Sequence, residues 1–260
     1  MTMFNLLRRA FNQAGTEDAA PRLFSTGEGR RVYAIGDVHG RRDLLVELMR
    51  RIVADTEARG PVPELRLVML GDLVDRGADS AGVVDLVMDM ASDWPGMECL
   101  MGNHEEMFLF ALHGDGRGVD LFRRVGREAL LSYGIAPSLI DEGEEGDLYA
   151  AMLDHVPEAH RDFLADRPNS LVIGDYLFVH AGIKPGVPLE DQDGRDMRWI
   201  RAPFLKSRVE HPYMVIHGHS ITEEVDIRPN RIGIDTGAYA SECLTAIGLE
   251  GTERWFLSTC

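Results

Sequence analysis

The sequence predicts an α+β fold with α/β-type layers, and three observations carry that prediction. Short apolar runs of strand length, at Arg31–Asp37, Leu65–Leu70 and Met97–Met101, alternate with segments whose apolar residues recur at helical spacing. Each run stops at a glycine followed by an acid or an amide, as a strand does where its backbone leaves the sheet. After a helical stretch between residues 114 and 167, strand-like runs return and dominate the C-terminal third. With 260 residues, 45% of them apolar, the chain can bury a full core in one large domain with an insertion.

Taken in order, MFNLLRRAF places Phe4, Leu7 and Phe11 at helical spacing beside Arg8 and Arg9, a short amphipathic turn expected to dock or fray. Polar residues up to Arg30 read as a tether, which divides the chain into a tether over 1–30 and a domain over 31–260. Arg31–Asp37 (RVYAIGD) is the first strand, and Leu44, Leu45, Leu48, Met49 and Ile52 form one face of a helix over Arg41–Ala58. The second strand, Leu65–Leu70, precedes Ser80, a candidate N-cap for a helix over Ala81–Ala91 that carries Val83, Val84, Val87 and Met90 inward. Trp94-Pro95-Gly96 ends that helix. The third strand runs into GNHEE and a helix through Met107, Phe108 and Leu112.

Residues 113–168 read as a helical insertion, with amphipathic segments Leu121–Tyr133 and Leu148–Leu164 and the acidic run Asp141–Asp147 between them as a solvated loop. Ser170–Ile173 and Tyr176–His180 flank Gly174-Asp175 as a hairpin. A Pro-rich, acidic loop leads to MRWIR (Met197–Arg201), and a strand over Tyr213–Ile216 ends in HGHS. Strands over Arg231–Asp235, Cys243–Leu249 and Arg254–Leu257 follow, the last two joined by a turn at Glu250-Gly251.

The net charge of −16 argues against broad binding to nucleic acid or anionic lipid, and an anionic substrate would need local cations. Cys99, Cys243 and Cys260 form no CxxC pair and make an odd set, so free thiols in a reducing compartment are expected, with Cys99 and Cys243 in the core. No apolar run reaches membrane-spanning length and no secretory h-region opens the chain, so a cytoplasmic location and no stable membrane insertion are expected.

Five segments share one design, an apolar strand that stops at glycine plus a metal-capable or acid–base residue. They are GDVHG (36–40), GDLVDRG (71–77), GNHE (102–105), HAG (180–182) and HGH (217–219). Sites in layered α/β sheets form at the carboxyl ends of strands, so the five ends can converge. Asp37, His39, Asp72, Asn103, His180 and His219 combine carboxylate, amide and imidazole without thiolate. That donor set suits two divalent ions, Mn²⁺, Fe or Zn²⁺, bridged by a carboxylate. His113, His155, His160 and His211 stand outside any motif and read as ordinary residues. His217 either donates a hydrogen bond behind the site or packs.

The motif set resembles the calcineurin-like metallophosphoesterases, and more closely their bacterial and phage serine/threonine phosphoprotein phosphatase branch, over about residues 31–257. The resemblance implies a two-layer β-sandwich flanked by helices (αββα) with a dinuclear centre at the strand ends. Asp37 and His39 would hold one metal, Asn103, His180 and His219 the other, and Asp72 would bridge them. His104 would be the general acid, hydrogen-bonded to Asp75, while Arg76 and Arg201, the latter in the matching WxR segment, would clamp the phosphate. The implied activity is hydrolysis of phosphoserine and phosphothreonine monoesters in phosphoproteins or phosphopeptides by a metal-bridging hydroxide. The alternative is a symmetrical bis(5'-nucleosyl)-tetraphosphatase acting on a dinucleotide. Two departures stand out: Met101 precedes GNHE where many relatives carry arginine, and Ile221 occupies the place of the second histidine of a GHxH ending.

Overall fold

The computed structural model describes residues 22–114 and 116–260. The amphipathic stretch at Phe4–Phe11 and the first part of the tether lie outside the described residues. Over its described part the tether runs along the sandwich: Thr26 N–H donates to Gly251 C=O at 2.9 Å and Ser25 N–H to the Asp175 carboxylate at 3.0 Å.

Strands β1 (Arg30–Ile35), β2 (Glu64–Met69) and β3 (Met97–Cys99) run parallel. The second sheet contains β4 (Ser170–Ile173), β5 (Tyr176–Val179), β6 (Met214–His217), β7 (Asp226–Arg228) and β8 (Arg231–Gly233), in the order β4-β5-β6-β8-β7. The C-terminal hairpin, β9 (Thr245–Glu250) and β10 (Glu253–Ser258), completes the first sheet in the order β10-β9-β1-β2-β3. In the second sheet β5, β6 and β8 are parallel, and β4 and β7 are antiparallel edges.

The period-2 alternation of β1 explains the layering. Val32 and Ala34 point to the second sheet, where Phe178, Ile216 and Ile232 meet them, while Tyr33 and Ile35 point to the helices. With both faces covered, the strand reads as an unbroken apolar run. Helices α1 (Arg42–Arg59), α2 (Ser80–Asp93) and α3 (Asn103–Leu112) cover the outer face of the first sheet. Ile200 and Phe204 cover Leu177, Val179 and Val215 on the outer face of the second. The result is the helix-flanked β-sandwich that the family resemblance implies. A buried Val, Leu, Ile or Phe contributes about 1.5–3 kcal/mol against about 1 kcal/mol for a net hydrogen bond, so the aliphatic layer between the sheets is the dominant cement.

Several details differ from expectation. Asp79, not Ser80, caps α2, its carboxylate accepting from Gly82 N–H at 3.0 Å; Ser80 lies in the first turn, and its hydroxyl accepts from Asp75 N–H at 2.9 Å. The amphipathic segments expected over Leu121–Tyr133 and Leu148–Leu164 are each interrupted and a helix stands between them, giving α4 (Gly116–Val125), α5 (Arg127–Ser132), α6 (Pro137–Glu142), α7 (Glu145–His155) and α8 (Glu158–Ala165). Gly126 sits where any side chain would strike the Phe122 ring, and Pro157 ends one helical path and starts the next. The acidic run is exposed as expected, yet most of it belongs to the end of α6 and the start of α7.

These five helices share a core with α2 and α3, where Phe108 stacks on Phe122 at 4.8 Å. His160 ties them to α2: its Nε2–H donates to Asp85 at 2.8 Å and its Nδ1 accepts from the Tyr133 hydroxyl at 3.0 Å.

The expectation of three free thiols is overturned. Cys99 is buried and free, but Cys243 and Cys260 form a disulfide with a Cα–Cα distance of 5.2 Å. The hairpin register is the physical reason. Thr245 pairs with Ser258, so Cys243 and Cys260 lie opposite each other two residues further out. Cys243 is accordingly half-buried rather than a core residue. Among the described residues, no helix is long and apolar enough to cross a membrane.

Candidate active site

The carboxyl ends of β1, β2, β3, β5 and β6 meet at one end of the sandwich. Cross-bonds between the sheets fix this convergence: His180 Nδ1–H donates to Leu70 C=O at 2.9 Å, and His219 N–H donates to the Asp37 carboxylate at 3.0 Å. Asp37, His39, Asp72, Asp75, Asn103, His104, His180 and His219 are all buried there. Their backbones are unusual as well. Of the six non-glycine residues with positive φ among the described residues, five are His39, Asp72, Asp75, Arg76 and His219. Such conformations cost of order 1–3 kcal/mol each and persist where the surroundings over-determine them.

One buried carboxylate does much of that determining. Glu105, in the first turn of α3, accepts from Asp72 N–H and Leu73 N–H at 2.8 Å, Gly102 N–H at 3.0 Å and Val74 N–H at 3.3 Å. The loop after β2 is thereby wound around the start of α3. Gly102 is required at this crossing, since a side chain there would overlap Asp72 and Glu105.

Two groups of donors result. His39, Asp72 and His104 offer atoms within 4.8 Å of one another, and so do Asp72, His180 and His219, so Asp72 belongs to both. The imidazole tautomers suit a metal. His39 Nδ1–H donates to Val74 C=O at 2.8 Å, leaving Nε2 3.5 Å from Asp72. His180 turns Nε2 towards Asn103 Oδ1 at 2.9 Å and Asp72 Oδ2 at 3.4 Å, two oxygens that call for a cation rather than a lone pair. The Nε2 atom of His219 is buried without any hydrogen-bond partner.

The charges agree with this reading. Burial lowers His39 to about 4 and His219 to about 3, so both stand as neutral imidazoles. Burial, then the carboxylates of Asp235 and Asp72, push Asp37 well above the usual range, as happens where acids gather around a place for a cation. Burial also opposes ionisation of Asp72, but the imidazoles of His180 and His104 outweigh it and hold the carboxyl well below its ordinary value. A hard, oxygen- and nitrogen-rich donor set with an orphaned imidazole nitrogen therefore fits divalent ions.

His104 is different. Its Nδ1 lies 2.5 Å from Asp75 Oδ2 and its ring meets His39 edge-on at 4.7 Å. Burial works against the imidazolium, yet Asp72 and then Asp75 outweigh it and raise the His104 pKa, even as burial pushes Asp75 up to about 6. Arg76 and Arg201 are exposed at the rim, and neither guanidinium is hydrogen-bonded or ion-paired among the described residues. The Arg201 charge reaches His219 and adds to burial in lowering it.

The residue family of this site is now decisive. The model of calcineurin-like phosphoesterases matches residues 30–245. The chain belongs to this family. It is thus a metallophosphoesterase, whose family chemistry uses divalent metals. It is 39% identical over 82 residues to serine/threonine-protein phosphatase 1 of Salmonella typhimurium, a match covering 32% of this chain and 33% of that protein. It is 25% identical over 271 residues to the symmetrical bis(5'-nucleosyl)-tetraphosphatase of Nitrosomonas europaea, covering 84% of this chain and 94% of that one. The match to the Salmonella phosphatase therefore spans only a third of that relative's length. A protein serine/threonine phosphatase from Saccharomyces cerevisiae shares the fold with a TM-score of 0.59 at 15% identity, over 90% of this chain and 80% of that chain.

Three residues of this metallophosphoesterase site escaped the sequence reading. Glu105 lies inside a recognised motif, but its role is to bind three distant backbone amides besides that of Gly102, which a sequence does not display. Asp235 follows β8, a further strand that ends near an acid, and that signal was available. Tyr239, between β8 and β9, meets the His39 ring edge-on at 5.5 Å; no local pattern marks it. His217, left open by the sequence, does both: its ring packs on Phe204 at 5.2 Å and its Nδ1–H donates to Gly218 C=O at 3.0 Å.

Proposed function

We propose that this chain hydrolyses phosphoserine and phosphothreonine monoesters, using two divalent ions held by Asp37, His39, Asn103, His180 and His219 with Asp72 shared between them. When bound, the ions supply Lewis-acid neutralisation of phosphoryl charge and an activated water. Every other contribution comes from the chain's own side chains. The observation that carries the reading is the buried Asp75–His104 pair beside Asp72. It holds a proton on an imidazole at the edge of the donor cluster, where a leaving alkoxide needs one.

Asp75 orients the ring through Nδ1 and leaves Nε2 as the atom that delivers the proton. Arg76 and Arg201, exposed at the rim and without a hydrogen bond or ion pair among the described residues, supply bidentate donors for the phosphoryl oxygens in a chain that is otherwise acidic. Phosphoryl transfer asks for little else beyond positioning and charge neutralisation. Mn²⁺ is the proposed native ion, with Fe or Zn²⁺ as alternatives, and the proposed setting is the cytoplasm.

The 39% identity to a serine/threonine-protein phosphatase favours the phosphoprotein reading. A second reading, a symmetrical dinucleoside tetraphosphatase, is favoured by the tetraphosphatase match that extends over 84% of this chain. Steady-state assays with Mn²⁺ separate them. A higher kcat/KM for a phosphothreonine peptide than for diadenosine tetraphosphate supports the first reading, and clear preference for the dinucleotide replaces it with the second.

A further inference from the structure

We propose that the Cys243–Cys260 disulfide is a thiol-exchange site whose redox state sets how firmly Tyr239 is held beside the metal-donor cluster. The inference rests on the reading of Arg76 as the phosphate grip. The bridge is reachable: Cys260 is exposed and Cys243 half-buried. It ties the end of the loop between β8 and β9, which carries the short helix α9 (Ala238–Ser241), to the C-terminus just beyond β10.

Cys243 is bonded into that loop on both sides of its Cα. Its C=O accepts from the Thr236 hydroxyl at 2.7 Å, and its N–H donates to the Ser241 hydroxyl at 3.1 Å. The Ser241 hydroxyl in turn bonds Thr236 C=O at 2.7 Å, or Gly237 C=O at 3.0 Å. Residues 236–243 thus form a closed ring of contacts with Cys243 as its terminal post. At the far side of the ring, Tyr239 presents one ring to two site residues: edge-on to His39, and beneath the Arg76 guanidinium at 5.7 Å. Since no ion pair holds Arg76 among the described residues, that aromatic platform is its visible restraint.

Reduction by a dithiol is a two-electron exchange. A reagent thiolate attacks the exposed Cys260 sulfur, the protein S–S bond breaks, and Cys243 leaves as a thiolate that takes up a proton. The second reagent thiol then closes the reagent's own disulfide and releases Cys260 as a thiol. The loop keeps its hydrogen bonds but loses its covalent tie to the C-terminal strand, so Tyr239 and the Arg76 side chain above it gain freedom.

The test compares the full-length protein in oxidised form with the same protein reduced by dithiothreitol and then desalted. Amide hydrogen exchange over residues 236–243 and binding of inorganic phosphate to the Mn²⁺-loaded protein are measured by mass spectrometry and calorimetry. Reduction is expected to speed exchange in this loop and to weaken phosphate binding roughly fivefold, the low end of ordinary coupling between sites. Tyr239→Leu is expected to bind phosphate equally in both redox states. The double variant Cys243→Ser/Cys260→Ser reproduces the reduced state without reagent, and reduced wild type supplies the same comparison where that variant does not fold. Equal exchange in the oxidised and reduced forms overturns the proposal. Faster exchange on reduction, with no phosphate bound in either state, removes the Arg76 reading and leaves the redox-coupled loop standing.

Discussion

His104, in the first turn of α3, and Arg76, in the loop after β2, meet water in opposite ways. His104 is buried against Asp75 at 2.5 Å, while Arg76 stands in solvent with a φ of 67°. A buried proton donor is suited to the leaving group, and an exposed guanidinium to an arriving phosphate. His104→Asn is therefore expected to retain bound metal and to slow turnover by roughly two to four decades. The loss should grow as the leaving group becomes more basic, and a leaving-group series on the variant checks this: an unchanged dependence removes His104 as the acid. Arg76→Ala is expected to weaken inhibition by inorganic phosphate about 10- to 100-fold, the worth of a charge-assisted hydrogen bond of about 1.5–3 kcal/mol. Its metal content should stay at the wild-type level by elemental analysis. The donor residues at this scale were legible in the sequence because each stands at a strand end with a glycine close by. Tyr239 was not, because its position depends on a loop closed by a hairpin partner far along the chain.

Among the elements, the start of α3 matters most, since Glu105 gathers four backbone N–H groups from two strand ends. Glu105→Ala should lower unfolding stability by several kcal/mol, at about 1–3 kcal/mol for each buried donor left unsatisfied. Glu105→Gln should cost less, because one amide oxygen still accepts. Urea unfolding of the two variants measures the difference, and equal midpoints would show that the amides find other partners.

Strand β1 makes a separate prediction. Burial, reinforced by a hydrogen bond to Asp55 at 2.5 Å, raises Tyr33 to about 12 from 10.0. The folded chain holds that proton more tightly than the unfolded chain does. Its contribution is complete below pH 10 and is lost as pH rises through about 12. Melting temperature against pH should thus fall more steeply between pH 10 and 12 in wild type than in Tyr33→Phe. Element breaks were less legible than element types. The helices of 116–165 end at Gly126 and Pro157 because of a ring contact and a missing N–H, and the disulfide follows from the β9–β10 register rather than from cysteine spacing.

For the whole molecule, function arises from two sheets stacked so that parallel strands of both end on the same side. Alternation within β1 told which residues were apolar, but not which face met a sheet and which met helices. The five strand ends declared that they belonged together, and the distances that join them are made by Leu70, Val74 and backbone amides that carry no motif. The central claim is that this convergence holds divalent ions for phosphate ester hydrolysis, with Asp72 common to both groups of donors. Titration of metal-stripped protein with Mn²⁺ while following p-nitrophenyl phosphate hydrolysis tests it most directly. The account predicts no turnover without metal and activity that saturates at two ions per chain; turnover in the stripped protein, or none at any level of Mn²⁺, Fe or Zn²⁺, would contradict it.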